Sequence, residues 1–437
     1  MDKNKERNFK EIADGYSAKE AISEAKRCLN CKIPQCVKGC PIENDIPAFI
    51  HQISMGNMGN ALEIINEKSN LPAICGRVCP HEKQCEGHCV MNKKGTPIRV
   101  GKLERFAADF DSEVGLIREK VTPKTRGKVA IIGSGPAGLT VAGDLARMGF
   151  NTVIYEKEAE PGGVLLYGIP GYRLPKDVVK QETDKIEALG VTFITNCMIG
   201  TDITIDEMFN HGFDAVFIGS GTAIPKTLDI PGKEAKGVLQ SSYFLRMVSL
   251  YNNQSLSLDE VPIKAGDIVG IIGAGNVAMD AARTAMRMGA KKVTVYYHKS
   301  EEDLTCNKSE YTEALSEHVQ FAWNSSVTEF LSSEGRLTAA RISTQEGEKV
   351  VNVDKFLFAV GSRPANRIVA STKGIDVNDA GYVITRERPY GMTTRHGVFA
   401  GGDVVHTPQT VVLAMRDAKK VAQGIAQYVD AKKLLED

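Results

Sequence analysis

The spacing of hydrophobic positions changes near residue 128. Before it, apolar residues recur every three or four positions. SAKEAISEAKRCLN (17–30) and DIPAFIHQISMGNMGNALEIINEKS (45–69) therefore predict helices, with cysteine-bearing loops between and after them. VTPKTRGK (121–128), with its Pro, Thr and charges, reads as a linker. A different order follows: the apolar run KVAIIG, a Gly turn, the amphipathic stretch GLTVAGDLARMG and a second apolar run, NTVIYEK. That is a strand–helix–strand unit with parallel strands. It recurs at DIVGIIGAGNVAMDAARTAMRMGAKKVTVYYHKS, where Gly273 stands in the place of Gly133. The tail, GVFAGGDVV followed by TVVLAMRDAKKVAQGIAQYV, is a further strand–turn–helix. The predicted class is α/β: two Rossmann-like dinucleotide-binding domains preceded by a helical, cysteine-rich domain.

Composition narrows the functional classes. A chain of 437 residues suggests about three domains. Its 54 Lys+Arg against 54 Asp+Glu argue against a polyanion-binding protein. No uninterrupted apolar run reaches the ~18 residues of a membrane span. The charged opening MDKNKERNFKEIADGYS lacks the apolar core of a secretory signal. A cytosolic chain is expected, and its ten cysteines are then more suited to metal than to disulfides.

The first Gly turn is Gly133-Ser134-Gly135-Pro136-Ala137-Gly138, directly after a strand and opening a helix. Gly133 permits the tight turn, Gly135 lets backbone approach a pyrophosphate, and Gly138 lets helix and strand pack closely. The helix N-terminus then faces the diphosphate with free N–H groups. Glu156 ends the second strand, where its carboxylate can accept from ribose hydroxyls. Gly162-Gly163-Val164 follows, and the tail carries Ala400-Gly401-Gly402-Asp403. These features resemble the two-dinucleotide-binding flavoproteins, in which such an Asp contacts the ribityl chain, so the first site is expected to bind FAD. The second turn is Gly273-Ala274-Gly275-Asn276-Val277-Ala278. Counting from the Gly turn puts Tyr296 at the place of Glu156, with His298 and Lys299 next. With no acid for a 2′-hydroxyl and two cationic donors at hand, the expected coenzyme is NADPH, with NADH possible; the alternative is a solvated loop.

Eight cysteines lie between Cys28 and Cys89. One group is Cys28, Cys31, Cys36 and Cys40-Pro41; the other is Cys75, Cys79-Pro80, Cys85 and Cys89. Thiolates at such spacing suit zinc or iron–sulfur clusters. Proline after Cys40 and Cys79 resembles ferredoxin runs, and beside a flavin iron can carry single electrons. Two [4Fe-4S] clusters are expected, with structural zinc or disulfides as alternatives. Two groupings are open: each group of four serves one cluster, or the groups interleave.

GYSAKEAISEAKRCLNCKIPQCVKGCPIENDIPAFI, CGRVCPHEKQCEGHC, VGKLERF, the two Gly-turn units and AGGDVV together resemble, across nearly the whole chain, the family of glutamate synthase small (β) subunits. The FAD-carrying subunit of NADH-dependent ferredoxin–NADP transhydrogenase and the N-terminal half of dihydropyrimidine dehydrogenase share these motifs. The resemblance implies interleaved ligands: Cys28, Cys31, Cys36 and Cys89 for one cluster, and Cys40, Cys79, Cys85 and Glu104 for the other, leaving Cys75 over. It also implies Arg173 and Thr410 near the flavin and Ala359-Val360-Gly361 near the nicotinamide. Two arginines of the family pattern are His298 and Lys299 here. The implied domains are residues 1–122 (iron–sulfur), 123–224 and 364–437 (FAD), and 225–363 (NAD(P)H).

The expected function is transfer of electrons from NADPH through FAD and two clusters to a larger partner subunit making glutamate from 2-oxoglutarate and glutamine. The cofactors carry the chemistry, so no catalytic acid, base or nucleophile is expected. The alternatives are the bifurcating transhydrogenase, electron input to a pyrimidine reductase, and a non-enzymatic iron–sulfur scaffold. A thioredoxin-reductase-like activity would need a dithiol, and Cys197 and Cys306 are isolated singles.

Overall fold

The computed structural model describes residues 9–115, 117, 120–408 and 410–436. They form two compact units. One comprises residues 13–165, 173–223 and 363–436; the other comprises residues 9–12, 166–172 and 224–362.

The larger unit begins with short helices whose starts are chemically marked. Ser17 caps Ala18–Ala25: its hydroxyl accepts the Glu20 N–H at 3.4 Å, and the Glu20 carboxylate accepts the Ser17 N–H at 2.8 Å. Asp45 caps Ile46–Ser54 by accepting the Ala48 N–H at 3.3 Å. The 45–69 run is two helices, Ile46–Ser54 and Met58–Asn66, because Gly56 takes φ +81° and ends the first. Pro72–Val78 and Val100–Val114 complete the group around buried Phe49, Ile53, Leu62, Ile65 and Leu103.

In the same unit the first Gly-turn motif folds as the strand Lys128–Ile132, the helix Pro136–Arg147 and the strand Asn151–Tyr155. They belong to a seven-stranded sheet. The order runs Thr385–Glu387, Tyr390–Thr393, Val398–Ala400, Ala215–Ile218, Lys128–Ile132, Asn151–Tyr155, Thr192–Ile194. Every residue of Ala215–Ile218 is buried, as in a parallel strand covered on both faces. The tail strand Val398–Ala400 pairs in parallel with it, Val398 opposite Val216. The AGGD turn is thereby carried to the same end of the sheet as the Gly133 turn.

The smaller unit holds a five-stranded parallel sheet ordered Val238–Gln240, Lys355–Phe358, Ile268–Ile272, Lys292–Tyr296, Gln320–Ala322. The second Gly-turn helix is Asn276–Arg287. An antiparallel three-stranded sheet, Ser326–Ser333, Arg336–Thr344 and Gly347–Asn352, belongs to the same unit. Arg283 is fully buried, paired with Glu310 at 3.0 Å, Glu313 at 2.7 Å and Glu317 at 2.8 Å. Its guanidinium carbon lies 4.7 Å from the Tyr172 ring centroid. Among the described residues no helix is long and apolar enough to cross a membrane.

Candidate cofactor sites

At the first Gly turn each small residue has a separate reason. Gly133 has φ +95°, and a Cβ there would lie 2.8 Å from the Gly219 carbonyl oxygen. A Cβ at Gly138 would meet the Gly133 oxygen at 1.9 Å, so helix and strand touch through backbone alone. Gly135 is different. Its φ of −72° suits any residue, and a Cβ there would have nothing within 4 Å. The protein's own packing does not require glycine at 135; close approach of a ligand to the helix N-terminus does. Gly275 repeats this in the second turn, with φ −87° and only Thr305 Oγ1 at 3.6 Å from a built Cβ. Both cradles fit a dinucleotide diphosphate.

Glu156 is buried at the end of its strand and already engaged. One carboxylate oxygen accepts the Ser134 N–H at 2.9 Å and the Ser134 hydroxyl at 2.6 Å; the other accepts the Glu158 N–H at 2.9 Å. Ser134 Oγ in turn accepts the Gly162 N–H at 2.9 Å. The Gly133–Gly138 turn, Glu156 and the Gly162-Gly163 pair are thus one hydrogen-bonded assembly. Val164 follows it, exposed, and Arg173 is half-buried.

The AGGD turn is fixed by a residue that sequence reasoning missed. Asp417, buried on the last helix, accepts the Gly402 N–H at 2.7 Å and the Tyr390 hydroxyl at 2.8 Å, with His406 Nε2 at 3.3 Å. A carboxylate about two turns inside a long helix gave no signal in the sequence. Next to Gly402, burial pushes the Asp403 carboxyl up to about 6, opposed in part by His406. Thr410 Oγ1 is buried with no hydrogen-bond partner among the described residues. A hydroxyl without a described partner and a desolvated carboxyl, seven residues apart, suit a polyhydroxylated ligand such as a ribityl chain.

The second site requires a correction. Sheet register sets Ile132 opposite Tyr155 and Ile272 opposite Tyr296. The equivalent of Glu156 is therefore Tyr297, not Tyr296, because the turn before the second strand is one residue longer. Tyr296 is buried against Phe356, ring centroids 5.6 Å apart. Tyr297 gives its hydroxyl to the Asp303 carbonyl at 3.2 Å. His298 and Lys299, both exposed, then follow at once. Asn276 at the helix start accepts the Asn307 N–H at 2.9 Å, and Val277 beside it is exposed. A Cβ on Gly273 would lie 2.4 Å from the Ala359 carbonyl oxygen, so Ala274 and the Ala359-Val360-Gly361 strand end stand at the same turn.

The cysteines assemble across the chain. Cys28, Cys31, Cys36 and Cys89 line a single cavity, walled by Ile46, Pro47, Ile50 and Val100. Burial pushes the Cys36 thiol up to about 11. Separately, Glu104 acts electrostatically on Cys40, Cys79 and Cys85. Burial and then Glu182 push the Glu104 carboxyl up to about 8; burial first, with Glu104 adding, pushes Cys40 to about 11 and raises Cys85 strongly. Cys79 is raised by its contact with Cys75 and then by burial. Cys75 is buried, with its sulfur 3.6 Å from Met415 Sδ and 3.9 Å from Ser69 Oγ. Among the described residues no three His, Cys, Asp or Glu side chains form a group that could hold a single metal ion. Burial favours the protonated, neutral forms of these acids and thiols, and iron would stabilise the deprotonated forms that ligate it. Cys197 and Cys306 lie in different units, in neither assembly.

Fold and sites together define an oxidoreductase with two dinucleotide cradles and a cysteine-rich electron-carrier domain. Residues 5–116 match the family described as dihydropyrimidine dehydrogenase domain II, 4Fe-4S cluster, and residues 127–418 match the pyridine nucleotide-disulphide oxidoreductases. The chain belongs to the pyridine nucleotide-disulphide oxidoreductase family, in the group that includes glutamate synthase small chains. It is 31% identical to the glutamate synthase [NADPH] small chain of Escherichia coli (strain K12), over 97% of this chain and 94% of that one. It is 32% identical to the NAD-dependent dihydropyrimidine dehydrogenase subunit PreT of the same organism, over 96% and 97%. T. acidophilum thioredoxin reductase shares the fold at TM-score 0.53 and 22% identity, over 68% of this chain and 97% of that one. The chain is an oxidoreductase with a 4Fe-4S domain and an FAD- and NAD(P)-binding domain.

Proposed function

We propose that this protein is the NADPH-oxidising subunit of a two-component enzyme of the glutamate synthase type. It takes electrons from NADPH and delivers them to a larger partner, which uses them to make glutamate from 2-oxoglutarate and glutamine. The observation that carries the reading is the pairing of two open Gly cradles, at Gly135 and Gly275, with two separate thiol assemblies in one chain.

In this reading Gly133–Gly138 and Gly162–Val164 cradle the FAD diphosphate and Glu156 accepts from its ribose. Gly402, Asp403 and Thr410 hold the ribityl chain, and Arg173 stands by the flavin. Gly273–Val277 take the NADPH diphosphate, His298 and Lys299 its 2′-phosphate, and Ala359–Gly361 border the nicotinamide. Cys28, Cys31, Cys36 and Cys89 hold one cluster; Cys40, Cys79, Cys85 and Glu104 hold the other. Bound there, FAD supplies a hydride acceptor that can release single electrons, and the clusters supply single-electron carriers. The chain's own residues bind, orient and exclude water.

Anaerobic purification followed by flavin, iron and sulfide analysis tests the cofactor set; one FAD and about eight irons per chain are expected. NADPH-driven reduction of an artificial acceptor should follow, and glutamate formation should appear on adding a glutamate synthase large chain. Stoichiometric zinc with little iron would overturn the electron-relay reading. A second reading, electron input to a pyrimidine-reducing partner from NADH, is supported by the PreT relative and by a 2′-phosphate site with one Lys and one His instead of two arginines. NADH as the better donor would favour it.

A further inference from the structure

Two of the three segments bordering the Cys28–Cys89 cavity carry an unbalanced charge; the third, from Ile46, follows exposed Glu43 and Asp45. Residues 26–38 (KRCLNCKIPQCVK) hold Lys26, Arg27, Lys32 and Lys38 and no acid; residues 89–99 (CVMNKKGTPIR) hold Lys93, Lys94 and Arg99 and no acid. This occurs in a chain whose 54 basic and 54 acidic side chains cancel. Two of the seven cations are engaged internally, Arg27 with Glu24 at 2.7 Å and Arg99 with Glu86 at 3.2 Å. The five lysines are exposed, and none has an acidic partner among the described residues. Arg27 also donates to the Thr96 carbonyl at 2.8 Å, so the two basic segments form one surface.

Between Lys26 and Lys38 in the first segment, apolar side chains face water. Leu29, which lines the cavity, is 56% exposed, and Ile33, between Cys31 and Cys36, is 68% exposed. An apolar centre within a charged rim is the anatomy of a protein interface. The other thiol assembly faces inward. Cys85 and Glu104 are buried, and Pro72–Val78, which carries Cys75 and ends at Cys79, packs against Lys176–Ala188 and Val411–Glu436 of the flavin-binding region.

We propose that the face formed by Lys26, Lys32, Lys38, Lys93 and Lys94 around Leu29 and Ile33 is the docking surface for an acidic protein that accepts single electrons. Electrons leave the chain on the Cys28–Cys31–Cys36–Cys89 side. The inference rests on the iron–sulfur reading and adds the partner's chemistry and where it binds. Long-range attraction between a basic face and an acidic partner raises encounter rates, while the apolar pair supplies the dehydrated contact that electron transfer needs. The step moves one electron from a reduced centre to an oxidised one; no bond or proton changes hands.

The test uses the anaerobically purified, FAD- and iron-loaded full chain with two protein probes, an acidic plant-type ferredoxin and a basic mitochondrial cytochrome c. Binding of each is measured at low and high ionic strength (about 20 and about 300 mM) in the parent and in the variant K32E/K93E/K94E. Ferredoxin binding should weaken roughly tenfold or more both in the variant and at high salt, and cytochrome c should show the opposite order. Electron entry from pre-reduced ferredoxin, followed by stopped flow, should slow in parallel, while iron, FAD and NADPH reduction of the bound flavin stay unchanged. Leu29→Ser with Ile33→Ser should slow electron entry and leave its salt dependence intact. Ferredoxin binding indifferent to the charge reversal overturns the proposal. So does a variant whose only change is loss of a dimer in sedimentation, since a second copy would then occupy the face. Clusters that ferredoxin reduces and NADPH does not would sink the NADPH relay and leave the docking surface standing; a protein without iron would sink both.

Discussion

Replacing Glu156 by glutamine changes one atom type at the hub of the first dinucleotide site. The carboxylate accepts three hydrogen bonds, two from Ser134 and one from Glu158, in a buried position. Glutamine keeps the shape but presents one oxygen and one NH2. Whichever way it turns, the NH2 meets a donor, either the Ser134 N–H or the Glu158 N–H. A buried N–H left unpaired costs about 1–3 kcal/mol, so the FAD-free chain should lose that much stability. The ribose contact loses its charge as well, and charge-assisted hydrogen bonds are about twice as strong as neutral ones. A loss of about 1.4–2.8 kcal/mol in binding corresponds to roughly ten- to hundredfold weaker FAD. The assay is removal of FAD, rebinding followed by flavin fluorescence, and urea unfolding of the stripped chain followed by circular dichroism. Glu156→Gln with parental FAD affinity and parental urea midpoint would refute the reasoning. Lost stability with parental affinity would keep Glu156 as the loop's anchor and remove it from the ribose.

Asp403 gives a pH prediction of opposite sign to the usual carboxylate. Burial raises it from 3.8 to about 6, so the folded chain holds this proton more tightly than the unfolded one, and stability falls as pH rises between those values. The full interval is worth about 3 kcal/mol, and partial exposure reduces it to about 1–2 kcal/mol. Asp403→Asn should therefore stabilise the FAD-free chain at pH 7.5 and flatten its urea midpoint between pH 4 and 6, while weakening FAD; an unchanged profile counts against a desolvated carboxyl. Cys89→Ser should cost about half the iron, as should Cys28→Ser, while Cys75→Ser costs none. Iron loss on Cys75→Ser would break the interleaved grouping. His298→Ala with Lys299→Ala should lower the NADPH:NADH ratio of kcat/KM by roughly tenfold, within reach of two charge-assisted contacts. A constant ratio would make them a solvated loop.

Much of the nucleotide machinery was legible in the chain because it is local. Gly133 to Glu156 spans one strand, one turn and one helix, and the chemistry of a diphosphate cradle is written into consecutive backbone geometry. The same locality explains the capped helices at Ser17 and Asp45. Three features needed the folded chain. The place of Glu156 falls on Tyr297 because one extra residue in a surface turn shifts register, which only strand pairing reveals. Asp417 reaches Gly402 because a helix starting after the AGGD turn runs back beside it. Spacing left both cysteine groupings open, since sequence separation does not set distance across irregular loops. Cys89 shares a cavity with Cys28, and Glu104 acts electrostatically on Cys40, because the chain between them folds back on itself. Sequence by itself determined the residue types each site needs, since local backbone geometry demands them. Tertiary packing alone decided which of them meet, because contacts between distant segments depend on how helices and strands bury their apolar faces.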